Sequence, residues 1–192
     1  MLSLILGLGN PGSEYAGTRH NLGFDVLDGV AARLEATDLA PRQLYRLARA
    51  ECDGRSVHLA WPETFMNRSG CAAEELIERL GLPAEQMLVV VDDFNLPLGA
   101  LRLRPSGSDG GHNGLASLIE ELGTTDFPRL RLGIGPAPDE DDTADYVLSR
   151  FRPDEEDDLQ TMKKAAVAAV LGALSLPFDQ AMSRHNINPA RS

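Results

Sequence analysis

Three features of this 192-residue sequence predict an α/β fold: a single domain, residues 1–192, with a twisted, mixed but mostly parallel β-sheet flanked by helices. Residues 2–8 and 87–91 are short apolar runs, polar only at Ser3, and runs of that length read as buried central strands. Stretches with apolar residues at helical spacing separate and follow them. Residues 100–105 and 129–135 alternate leucine or isoleucine with arginine, the pattern of strands buried on one face.

Taken in order, the first strand ends in a loop punctuated by Gly7, Gly9, Pro11 and Gly12, with Asn10, Tyr15, Arg19, His20 and Asn21 as its polar content. Leu22, Val26, Leu27, Val30, Ala31 and Leu34 predict a helix over 21–36, followed by polar loop. Residues 44–52 and 55–61 flank Asp53-Gly54, a hairpin signal with a type I′ turn. Ser69 is placed to cap a helix running to Leu80, and Gly81 to stop it. The strand at 87–91 runs into Asp92-Asp93, at the same sheet edge as the Asn10 loop if the two strands are parallel.

Residues 100–105 then place Arg102 and Arg104 on one cationic face. A polar 106–111 loop leads to a helix opened by His112-Asn113-Gly114 and reaching Leu122. In the strand at 129–135, Leu130, Leu132 and Ile134 point inward and Arg129 and Arg131 to the other face. Helices over 141–149 and 154–174 and a last short one after Pro177 complete the chain.

The formal charge is −11, but residues 139–158 alone hold ten acids against two arginines, a net of −8. Long-range attraction of nucleic acid is therefore weak, and any such binding rests on short-range arginine contacts. No apolar stretch reaches transmembrane length, and the first apolar run is too short and lacks the basic flank of a signal peptide. Cys52 and Cys71 form no disulfide or zinc pattern, so a cytoplasmic protein is expected.

Residues 7–12 spell GxGxxG, but Pro11 forbids helical geometry at Asn10 and helical spacing begins only near Leu22. A nucleotide-cofactor enzyme is therefore the weaker reading. His20 and His112 sit in polar, glycine-flanked loops without a second histidine at metal-ligand spacing, so neither metal nor cofactor is expected. A histidine beside a strand-end aspartate suits general-base work. No nucleophile elbow or activated cysteine is present, which leaves water as the nucleophile. Asn10, Asn67 and Asn113 are candidate donors to a carbonyl or peptide backbone.

These residues resemble a known family. Gly7 to Gly12 with Tyr15 and Thr18-Arg19-His20-Asn21 look like the first motif of bacterial peptidyl-tRNA hydrolase. Phe65-Met66-Asn67-Arg68-Ser69-Gly70, Asp92-Asp93-Phe94-Asn95-Leu96-Pro97, Gly110-Gly111-His112-Asn113-Gly114 and residues 129–135 resemble the later ones, in order along the chain. The resemblance implies hydrolysis of the ester joining a peptide to the 3′ end of tRNA, by a monomer in the cytoplasm. By position, His20 matches the base that activates water, Asp92 the acid that orients it, and Asn10 and Asn67 the positioning amides. Asn113 matches the amide that holds water and substrate main chain. Tyr15 and Met66 match residues of the peptide channel, and Asn21, Gly110, Gly111 and His112 fall in the matching substrate motifs. Arg104, with Arg102 beside it, and Arg131 match contacts to tRNA phosphates. Asp109 departs from the pattern and, with the acidic segment, implies modest RNA affinity. A catalytically inactive RNA-binding relative is the alternative within the same family.

Overall fold

The computed structural model describes residues 1–40, 42–136 and 143–189. Seven strands form one sheet: β1 (Leu4–Gly7), β2 (Thr37–Asp38), β3 (Tyr45–Cys52), β4 (Arg55–Pro62), β5 (Met87–Asp93), β6 (Leu101–Arg104) and β7 (Arg129–Gly133), in the order β2-β3-β4-β1-β5-β7-β6. The central strands β4, β1, β5 and β7 run parallel, while β2, β3 and β6 add antiparallel pairings at the two sides. Among the described residues six helices flank the sheet: α1 (Leu22–Arg33), α2 (Ser69–Leu80), α3 (Asn113–Leu122), α4 (Thr143–Leu148), α5 (Glu156–Ser175) and α6 (Phe178–His185).

Side-chain alternation divides the core in two. Ile5, Leu88 and Val90 face α1 and α5, whereas Leu4, Leu6, Met87, Val89 and Val91 face α2 and α3. A parallel strand buried on both faces must be apolar throughout, which is why β1 and β5 lack polar alternation. The hairpin turns through Asp53 and Gly54, both at positive φ (51° and 72°), as its sequence predicts. Gly81 stops α2 in the left-handed region.

Several expectations are corrected. Ser69 does not cap α2: it is the first helical residue, and its hydroxyl donates to the Met66 carbonyl at 2.9 Å. Thr37 and Asp38 are not loop but a short edge strand on β3. Arg129 is not on an open face: it is 1 % exposed, covered by the 106–111 loop. The helix expected at 141–149 is α4, beginning at Thr143; residues 141 and 142 lie outside the described residues.

The parallel pairing of β4, β1, β5 and β7 brings four strand ends to one sheet edge. The loops after β1 and β4 and the end of β5 gather there, the location ligands take in open α/β sheets.

Candidate active site

The turn before α1 carries Arg19, His20 and Asn21, all buried. Its depth comes from Gly23, where an added Cβ would sit 2.5 Å from the carbonyl oxygens of Leu8 and Val90. Without a side chain there, the start of α1 lies against β1 and β5, and His20 reaches the end of β5. His20 Nδ1 stands 3.1 Å from both carboxylate oxygens of Asp92, which is 2 % exposed. Burial opposes ionisation of Asp92, but the His112 and His20 imidazoles and their hydrogen bonds outweigh it and hold the carboxyl well below the usual carboxylate range. An ionised Asp92 accepts the Nδ1–H of His20 and leaves Nε2 as the basic ring nitrogen. The neighbouring Asp93 has another task. It pairs with Arg131 and accepts the Asn95 N–H at 2.9 Å.

His112 completes the arrangement. Its Nε2 is 3.1 Å from Asp92 Oδ1, while its Nδ1 accepts from the N–H groups of Gly114 and Leu115 at the start of α3. The sequence reading placed His112 among the substrate contacts; the structure places it behind Asp92 as the N-cap of α3. His20, Asp92 and His112 offer ligand atoms within 4.8 Å of one another. A metal there would have to displace the protons that the imidazoles share with the carboxylate, so the donor set suits hydrogen bonding better than a cation.

A cavity of about 220 Å³ opens beside His20, lined also by Asn10, Met66, Asn67 and Asn113. Asn10 Oδ1 accepts the Met66 N–H at 2.8 Å, which stitches the β1 loop to the β4 loop and leaves the Asn10 Nδ2 as a donor. Asn21 exchanges two 2.9 Å hydrogen bonds with the Asn10 backbone. The sequence reading put Asn21 against substrate, but both ends of its amide hold the Asn10 loop. Phe65, Ala144, Val147 and Leu148 complete the lining and were not singled out from sequence. Phe65, 57 % exposed beside Tyr15 in an edge-to-face pair at 6.3 Å, had a legible signal as an aromatic within its motif. The three α4 residues had none, because a short helix in an acidic segment says nothing about what it covers.

Gly110 and Gly111 lie in the loop beyond His112, where the Gly110 carbonyl accepts from the Asn95 side chain. Arg102 and Arg104 are half-buried on β6, opposite Arg131 and Arg129. The guanidinium of Arg129 serves the carbonyls of Gly107, Ser108, Thr125 and Phe127, and burial together with the nearby Arg131 charge lowers its pKa to about 10.

Arg19 ties the cavity wall to the turn that carries His20. It is 2 % exposed, pairs with Glu155 at 2.6 Å, donates to the Ile134 carbonyl at 3.1 Å, and lies 4.5 Å from the centres of the Tyr146 and Phe151 rings.

The parallel strand ends, the paired imidazole and carboxylate and the surrounding amides define an α/β protein equipped to activate water. Fold alone relates the chain distantly to a Campylobacter jejuni 5′-methylthioadenosine/S-adenosyl homocysteine nucleosidase, with a TM-score of 0.55 at 12 % identity over 91 % of this chain and 98 % of that one. The family model for peptidyl-tRNA hydrolase matches residues 4–192. Peptidyl-tRNA hydrolase from Aquifex aeolicus is 45 % identical over 185 residues, 96 % of each chain, and that from Chloroflexus aurantiacus is 47 % identical over 184 residues, 95 % of this chain and 98 % of the other. The crystal structure of Acinetobacter baumannii peptidyl-tRNA hydrolase superposes with a TM-score of 0.92 at 32 % identity, over 97 % of this chain and 95 % of that one. The chain belongs to the peptidyl-tRNA hydrolase family and is, with it, a hydrolase.

Proposed function

We propose that this chain hydrolyses the ester between a peptide, or an N-blocked aminoacyl group, and the 3′ end of tRNA, with water activated by His20. The observation that carries the mechanism is the Nδ1 contact of His20 with both oxygens of buried Asp92, at the edge of a cavity lined by three asparagines. Asp92 fixes the tautomer and stabilises the imidazolium as Nε2 takes the water proton. An ester has a good leaving group, so one base, one orienting acid and fixed amide donors suffice without a covalent intermediate. Recognition through Asn10, Asn67 and Asn113 addresses main-chain atoms, which suits a substrate whose side chains vary. Arg102, Arg104 and Arg131 are the candidates for phosphate contacts, the last one shared with Asp93. Two free cysteines and no helix long and apolar enough to cross a membrane, among the described residues, fit a cytoplasmic setting.

The test is release of N-blocked aminoacyl groups from tRNA by the wild type and by His20→Ala. The substitution is expected to lower kcat roughly 100-fold or more at retained fold. Equal rates would remove His20 from the role of base.

A further inference from the structure

We propose that His112 is a positioning residue locked in the tautomer opposite to that of His20. The two imidazoles that share Asp92 then divide into one base and one fixed donor. The inference rests on the reading of His20 as base, but its spectroscopic test does not.

His112 is the N-cap of α3, and its Nδ1 lies 3.1 Å from Gly114 N and 3.3 Å from Leu115 N. Both are backbone donors of a first helical turn, where N–H groups lack intrahelical partners. Two N–H groups aimed at one ring nitrogen require that nitrogen to present its lone pair. The positive end of the helix favours a lone pair there as well. A neutral imidazole carries one N–H, so the proton belongs on Nε2, which faces Asp92 Oδ1 at 3.1 Å.

The other charged or titratable groups around His112 are His20, whose ring centre is 4.8 Å away, and Asp93, Asp109 and Arg131 around the small pocket behind Asp92. Among the described residues, the hydrogen-bond partners of Nδ1 are the two amides. His20 is the mirror case, with Nδ1–H on Asp92 and Nε2 at the cavity. One ring has a lone pair available to water and the other has none.

Two consequences can be measured. In a ¹⁵N-labelled protein, long-range ¹H–¹⁵N spectra at about pH 8, where an ordinary imidazole is neutral, are expected to show His112 protonated at Nε2 and His20 at Nδ1. Signals are assigned by their loss in His112→Asn and His20→Ala. A His112 protonated at Nδ1 overturns the proposal.

The second measurement uses His112→Asn, which keeps a side-chain oxygen for the Gly114 and Leu115 N–H groups and withdraws the proton from Asp92. The kcat of this variant is expected to fall about ten-fold at unchanged KM, the loss of a hydrogen bond to a charged group. The acid limb of its kcat–pH profile is expected to move to higher pH, because the whole charge of Asp92 then faces His20. An unmoved limb overturns the positioning role, since a merely structural loss has no reason to shift it. Wild-type turnover by His20→Ala would defeat the functional reading while leaving the His112 spectrum to be judged by itself.

Discussion

Asn10 accepts the Met66 N–H with its side-chain oxygen, and this bond orients the amide. With the oxygen tied to Met66, the Nδ2 donors are the part of the amide turned over to the cavity, and in the proposed reaction they serve an oxygen acceptor on the substrate. Asn10→Asp tests this with almost no change of shape. One carboxylate oxygen keeps the Met66 bond and the other replaces a donor by an acceptor. A loss of about 100-fold in kcat/KM is expected, the order found for removing one preorganised donor; wild-type kcat/KM would show that the amide does not donate to substrate. That Asn10 and His20 meet at one cavity beyond the strand ends was legible from residue type and loop position. The tasks of Asn21, His112 and Arg129 were not. Each is a polar side chain in a motif or on an alternating strand, and what decides its task is a partner distant in sequence. Asn21 turns back on the Asn10 backbone, His112 on α3 and Asp92, and Arg129 on carbonyls of the loop that covers it.

Among the elements, α4 and the turn before α1 are held together by Arg19. Removing one partner of a buried pair strands the other, and Arg19→Met also loses the bond to Ile134 and the contacts with Tyr146 and Phe151. A destabilisation of about 3–5 kcal/mol is expected by urea unfolding; a loss below about 1 kcal/mol would show that the pair holds little. Burial alone would raise the Glu155 pKa, but the hydrogen bonds from Arg19 and the Arg152 backbone outweigh it, and the net shift is downward from 4.5. A depressed carboxyl contributes stability that is complete above its unfolded value and lost as pH falls through the folded one. The melting temperature should therefore decline as pH drops below about 4.5, and Arg19→Met should flatten part of that decline. An equally steep decline in the variant would assign the acid sensitivity elsewhere. The helices and long strands were legible because their periodicity is dictated by burial on one or two faces. β2 was not: two exposed residues carry no pattern, and only pairing with β3 makes them a strand.

For the molecule as a whole, the net charge of −11 sets the terms on which RNA can be met. Arg129 is buried and Arg131 is shared with Asp93, which leaves Arg102, Arg104 and part of the Arg131 charge as what that face can offer a phosphate among the described residues. Few phosphates are then neutralised. The slope of log affinity for tRNA against log salt concentration should be about 2 or less in magnitude; a slope near 6 would require a basic surface elsewhere. The sheet order follows from two apolar strands that need neighbours on both sides, and the site follows from their shared direction. The wall built by α4 had no such cue, since its place depends on Arg19 meeting Glu155 across more than a hundred residues of chain.

That tether has a mechanical corollary. The cationic peg next to His20 in the chain packs on two aromatic plates, Tyr146 and Phe151, of the segment that lines one side of the cavity. Any displacement of that segment is therefore transmitted through the guanidinium to the next residue in the chain, whose ring rests on the carboxylate at the end of β5.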